Sequence, residues 1–158
     1  MKHIISVLVE NKFGVLARVA GLFSARGFNI NSLAVGETED PSVSRMTIVV
    51  RGDDKILEQV KKQLNKLIDV IYVKDYIRKE HIDKELILLK IEVDKKNKTK
   101  ALSIIKKSPA NIVKATIDTV TVEMTGTQDD IENLLAALGD KNFRIKEMVR
   151  TGRVAMEL

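Results

Sequence analysis

The chain has 158 residues, 44% hydrophobic and 31% charged, with a formal charge of +5, enough for one ordinary domain or two small ones. It has no cysteine, which excludes disulfide and thiol chemistry, and with no Trp and only 4% aromatic residues its core must be aliphatic. No apolar run approaches the roughly 20 residues that span a bilayer, and no signal-peptide core follows Met1-Lys2-His3, so a cytoplasmic protein without a membrane partner is expected.

In chain order, Ile4 to Glu10 reads as a strand that is apolar on both faces, which suits a central position. Gly14 opens a helix whose Val15, Leu16, Val19, Leu22 and Phe23 recur at three- and four-residue spacings, and Gly27 closes it. Phe28 to Val35 is a second strand, and Ser42 to Arg51 a third that alternates after an acidic loop with Glu37, Glu39, Asp40 and Pro41. Asp53 or Asp54 caps a second helix with an apolar stripe of Ile56, Leu57, Val60, Leu64 and Leu67, and Val70 to Ile77 is a fourth strand.

The order βαββαβ is ferredoxin-like, and it recurs more faintly. Leu86 to Asp94 reads as a strand, Asn97 to Lys107 as a helix, Ile112–Thr116 and Val120–Thr125 as a hairpin. Thr127 then caps a helix bearing Ile131, Leu134, Leu135 and Leu138, and Phe143 to Val149 closes the unit. The fold class expected is therefore α+β, two ferredoxin-like units in tandem: residues 1–77, a linker at 78–84, and residues 85–158. The basic run Lys95-Lys96-Asn97-Lys98-Thr99-Lys100 has no arginine and no interleaved aromatic. It reads as a solvated face, and no nucleic-acid partner is expected.

In the usual order of this fold the second strand lies at a sheet edge. Gly27 to Gly36 carries no charge, so the edge lacks the common protection against pairing, and strand-to-strand pairing with a second copy is expected. A helix start offers unpaired N–H groups and partial positive charge, a ready seat for a carboxylate. Gly14 permits close approach, Val15 and Leu16 can add N–H groups, Asn11 stands at the strand end, and Asn29 and Asn31 lie two apart on the edge strand. No catalytic residues are found. His3 and His81 have no metal-ligand spacing and read as surface residues; Ser6, Ser24 and Ser32 have no nucleophile context; no phosphate or dinucleotide loop and no acid pair is present. The pattern is that of a metabolite sensor. A stand-alone amino-acid sensor for another enzyme or a transcription factor is the alternative, though no helix-turn-helix is seen.

The run E-N-K-F-G-V-L-A-R-V-A-G-L-F-S-A-R-G-F-N-I-N-S-L, continued by D-P-S-V-S-R-M-T-I-V-V-R-G-D-D and L-E-Q-V-K-K-Q-L-N-K-L-I-D-V, resembles the acetolactate synthase (acetohydroxyacid synthase) regulatory small subunit. The second unit resembles that family more loosely, in E-M-T-G-T and V-R-T-G-R-V-A-M, and differs in Ile104 to Ala115, which holds Pro109 in place of an Arg-Gly pair. The resemblance implies that the first unit is an ACT domain, an amino-acid-binding module that dimerises. It implies a homodimer, a large catalytic subunit carrying thiamine diphosphate, Mg and FAD, and no cofactor or metal on this chain. It implies feedback inhibition by a branched-chain amino acid, most often valine. Carried over residue by residue, the effector positions are Asn11, Gly14 and Asn29, with Val15, Leu16 and Ile30 adjoining.

Overall fold

A computed structural model describes residues 2–76 and 79–158. Ile77, the expected end of the fourth strand, and Arg78, in the expected linker, lie outside the described residues. The first sheet is built from β1 (Lys2–Glu10), β2 (Ile30–Glu37), β3 (Val43–Arg51) and β4 (Val70–Asp75), fully antiparallel in the order β2-β3-β1-β4. Helices α1 (Val15–Ser24) and α2 (Asp54–Leu64) cover one face. Their Val15, Val19, Leu22, Phe23, Leu57, Val60 and Leu64 bury against Ile5, Val7 and Val9 of β1 and Met46, Ile48 and Val50 of β3. This is the alternation of a pleated strand, with one parity facing the helices. Asp53 caps α2, its Oδ1 accepting from the Ile56 N–H at 2.9 Å.

Two local readings change. Gly27 is left-handed at φ 68°, and the Phe28 N–H donates back to the Phe23 carbonyl at 3.0 Å, so helix closure uses the residue expected to start the strand. Strand β2 therefore begins at Ile30, and its register slips between Ile30 and Ser32. Asn29 precedes the strand and Asn31 sits in a bulge, so the two do not form the expected same-face pair. His3 is also not a surface residue: it shares parity with Ile5, is 2% exposed, and its Nε2 lies 2.9 Å from the Gly52 carbonyl.

The second sheet repeats the plan with β5 (His81–Glu92), α3 (Lys98–Ile105), β6 (Ala110–Ala115), β7 (Thr119–Gly126), α4 (Gln128–Gly139) and β8 (Ile145–Arg150), ordered β6-β7-β5-β8. Ile87, Leu89 and Ile91 of β5 pack with Ala101, Ile105, Val120, Val122, Met124, Ile131, Leu134 and Leu138. Thr127 and Asp130 form a reciprocal capping box at α4, which the sequence spacing anticipates. Among the described residues no helix is long and apolar enough to cross a membrane.

The domain limits differ from the expected ones. One unit comprises residues 1–83 together with 153–158, the other residues 84–152. His81–Asp83, expected in a linker, already belong to β5, and a further strand β9 (Val154–Glu157), expected in the second domain, pairs with β5 and groups with the first unit. The reason is apolar cover: Ala155 is buried with Ile4, Val49 and Tyr76 on the sheet face that bears no helix. Leu64 is fully buried whereas Ile68, four residues on, is 95% exposed. Leu64→Ala is therefore expected to lower unfolding free energy by about 2–5 kcal/mol and Ile68→Ala by no more than about 0.5 kcal/mol, as read from urea unfolding midpoints.

Candidate functional site

The turn from β1 into α1 leaves backbone donors open in the first unit. Gly14, at φ 81°, occupies the N-cap position, and no side chain caps the helix. The Val15 N–H is partly engaged by the Lys12 carbonyl at 3.3 Å, and the Arg18 N–H by the Gly14 carbonyl at 3.0 Å. Among the described residues the N–H groups of Leu16 and Ala17 have no hydrogen-bond partner. The donors expected at Val15 and Leu16 thus shift by one residue, to Leu16 and Ala17. The side chain of Val15 is core, 3% exposed, whereas Leu16 is 46% exposed beside the turn.

A cation that the sequence pattern did not single out stands here. A Cβ placed on Gly14 would lie 3.0 Å from Arg18 Nη1, and Arg18 Nε donates to Asp69 Oδ2 at 2.7 Å. The guanidinium is one helical turn from Gly14, so its spacing of four was the available signal. Its anchor is 51 residues away, which no local pattern reveals. Asp69 is nearly buried, and its carbonyl also accepts the Glu10 N–H at 2.9 Å, tying the α2–β4 loop to the end of β1. Helix start and guanidinium together give the turn positive potential suited to a carboxylate.

Asn11 is oriented by the acidic loop. Its Nδ2 donates to the Pro41 carbonyl at 2.9 Å and to Glu37 Oε1 at 3.1 Å, and its N–H donates to the Ser42 carbonyl at 2.7 Å. Asp40 shapes that loop, its Oδ1 accepting from the Ser42 hydroxyl at 2.7 Å and the Ser42 N–H at 2.9 Å. These two bonds, the hydroxyl first, hold the Asp40 carboxyl below its ordinary pKa of 3.8. Asn29 is exposed, and its side chain makes no hydrogen bond among the described residues; Ile30 is half-buried against the core. Asn11, Gly14, Val15 and Leu16 are thus brought together at one turn, while Asn29 and Ile30 stand at the start of edge strand β2. Among the described residues no group of three or more His, Cys, Asp or Glu side chains could hold a metal ion.

A ferredoxin-like unit with an open helix start beside an unpaired edge strand defines an ACT domain, and residues 5–72 match the family model described as an AHAS small subunit-like ACT domain. Residues 84–158 match the model for the small subunit of acetolactate synthase. The acetolactate synthase small subunit of Aquifex aeolicus is 46% identical, the alignment covering 98% of this chain and 80% of that protein. The isozyme 3 small subunit of Salmonella typhimurium is 42% identical over 99% of this chain and 95% of its own. The crystal structure of the Thermotoga maritima small subunit superposes with a TM-score of 0.88 at 36% identity, covering 100% of this chain and 98% of that one. This chain belongs to the acetolactate synthase small-subunit family.

Two outcomes follow from the site geometry. Gly14→Ala should destabilise the fold by about 1–2 kcal/mol because an L side chain is strained at φ 81°, whereas Gly21→Ala, in helix α1 with open space around it, should stabilise by about 0.5–1 kcal/mol; thermal unfolding compares them. Because the folded Asp40 pKa is lowered, the loop's contribution is complete above the unfolded value and lost as pH falls through the folded one. An NMR titration should place the Asp40 midpoint below 3.8, with the Asn11 side-chain amide resonances moving in the same step.

Proposed function

We propose that this chain is the regulatory small subunit of acetolactate synthase, and that its ACT unit senses a branched-chain amino acid. Two copies pair edge to edge through β2, and the effector lies between them. Its carboxylate is held by the Leu16 and Ala17 N–H groups with Arg18 nearby, and its polar groups are met by Asn29 of the other copy. Leu16, with Ile30 of the other copy, lines the apolar side chain. Such a wall separates ligands differing by one methylene by only about 1–3 kcal/mol, so valine, leucine and isoleucine compete for one site. Valine is the leading candidate.

The observation that carries this reading is the coexistence of an uncapped helix start, a left-handed Gly14 and, just before an open edge strand, an Asn29 side chain with no hydrogen bond among the described residues. Each leaves polar capacity unused within one chain. The proposed partner is the large catalytic subunit, to which thiamine diphosphate, Mg and FAD belong, in a cytoplasmic complex. This chain supplies no catalytic group. It raises the large subunit's activity, and effector binding shifts the dimer toward an arrangement that lowers it again. A coupling of about 1–3 kcal/mol gives a 5–150-fold effect.

Mixing the chain with a matching large subunit, with and without valine, should raise turnover and then suppress it. Unchanged turnover in both conditions sinks the reading. Asn29→Ala removes the exposed side-chain amide proposed to meet the effector's polar groups, and it disturbs no hydrogen bond within one chain. It should raise the valine concentration for half-inhibition by about tenfold or more, the loss of a charge-assisted bond, while activation stays within about twofold.

A further inference from the structure

Residues 153–158 lie across the helix-free face of the first unit's sheet. The Arg153 N–H donates to Ser32 Oγ at 2.9 Å, on edge strand β2. The Arg153 guanidinium grips Asp83, with Nε 2.8 Å from Oδ2, and neither side chain is more than 16% exposed. Further on, Tyr76 Oη donates to the Ala155 carbonyl at 3.2 Å, and Glu157 pairs with Lys74 and Lys79. The Leu158 N–H reaches the Glu80 carbonyl at 3.2 Å. The segment therefore runs from the open edge of the sheet at Ser32, over Val49 and Ile4, to the opposite edge at β4.

Its anchor on β2 is specific. Ile30 pairs with Val50 and Ser32 with Val49, so Asn31 is the extra residue of the bulge, and Ser32 is where the strand regains register. A one-residue slip there would turn every following side chain to the other face. Fixing the Ser32 hydroxyl fixes the bulge, and Asn29 lies just on its other side. On the chain, only Thr151 and Gly152 separate Arg153 from β8 (Ile145–Arg150).

We infer that residues 153–158 form a coupling strap for the effector site: by holding Ser32 they keep the β2 bulge in the register that presents Asn29, and effector binding in turn holds the strap down. Arg153 and Ser32 are positioning residues, and neither touches the effector. This rests on the effector reading of Asn29 given above. Linkage requires the two effects to match: a seated strap raises effector affinity by the same factor by which effector favours seating.

The test uses the full chain, with hydrogen exchange followed by mass spectrometry over residues 153–158 and calorimetric titration of valine, leucine and isoleucine. In the unsubstituted chain, saturating effector should slow exchange of this segment by about fivefold or more, and Ser32→Ala and Arg153→Gln should weaken effector binding by a similar factor. Ser32→Thr, which keeps the hydroxyl, should restore it. A purely structural strap predicts lowered unfolding midpoints with effector affinity untouched. If effector binds but leaves exchange of the segment unchanged, and both variants bind as the parent does, the coupling is overturned while the effector reading stands. If none of the three amino acids binds the unsubstituted chain, the effector reading fails and the coupling fails with it. The exchange measurement needs no variant, so poor folding of a substituted chain cannot shield the proposal.

Discussion

The first unit depends on burying β1 on both of its faces. The strand is hydrogen-bonded on one side to β3 and on the other to β4, so its backbone is satisfied only at the centre of the sheet. Its Ile5, Val7 and Val9 are covered by helices and its Ile4 by Ala155 and Tyr76. An alternating surface strand would need one apolar face; this one presents two, and each exposed face would cost about 25 cal/mol per Å² of apolar surface. The helices meet the first demand and segment 153–158 meets the second. Both the position of the Gly14 turn, just after the end of β1, and the discontinuous first unit follow from that one constraint.

Helix ends are treated unequally in this chain. Asp53 caps α2 and Thr127 with Asp130 boxes α4, each worth roughly 1 kcal/mol. At α3 the Asn97 side chain accepts from the Asp94 N–H instead, organising the turn before the helix. Among the described helices, α1 alone has a glycine at the cap in a left-handed conformation with a guanidinium beside it. This N-terminus is left without a side-chain cap among the described residues, a departure from local rules of the kind that functional sites commonly show.

Much of this was legible in the residues. Alternation in Ser42–Arg51 and the heptad-like stripe of Ile56–Leu67 fix their elements because burial imposes periods of 2 and 3.6. The Thr127–Asp130 box was readable because capping is local. The Gly14 turn was readable for the same reason, and motif resemblance placed it in a family. The misreadings share a cause. The polarity of His3 suggests a surface residue while its strand parity with Ile5 places it inside, and Phe28 has a strand-like sequence but spends its N–H on the helix it follows. Arg18 meeting Asp69, Arg153 meeting Ser32 and Ala155 meeting Ile4 join residues more than 50 positions apart, and no periodicity records such meetings.

That discontinuity bears on when the first unit becomes complete during synthesis. Its strands through β4 are made early, yet the residues that cover Ile4, Val49 and Tyr76 come only after the roughly 70 residues of the second unit. At about 5–20 residues per second, the interval is on the order of 4–14 s. Through that time the nascent sheet carries a bare apolar face as well as an uncharged edge, the two features that most invite pairing with a neighbouring nascent chain.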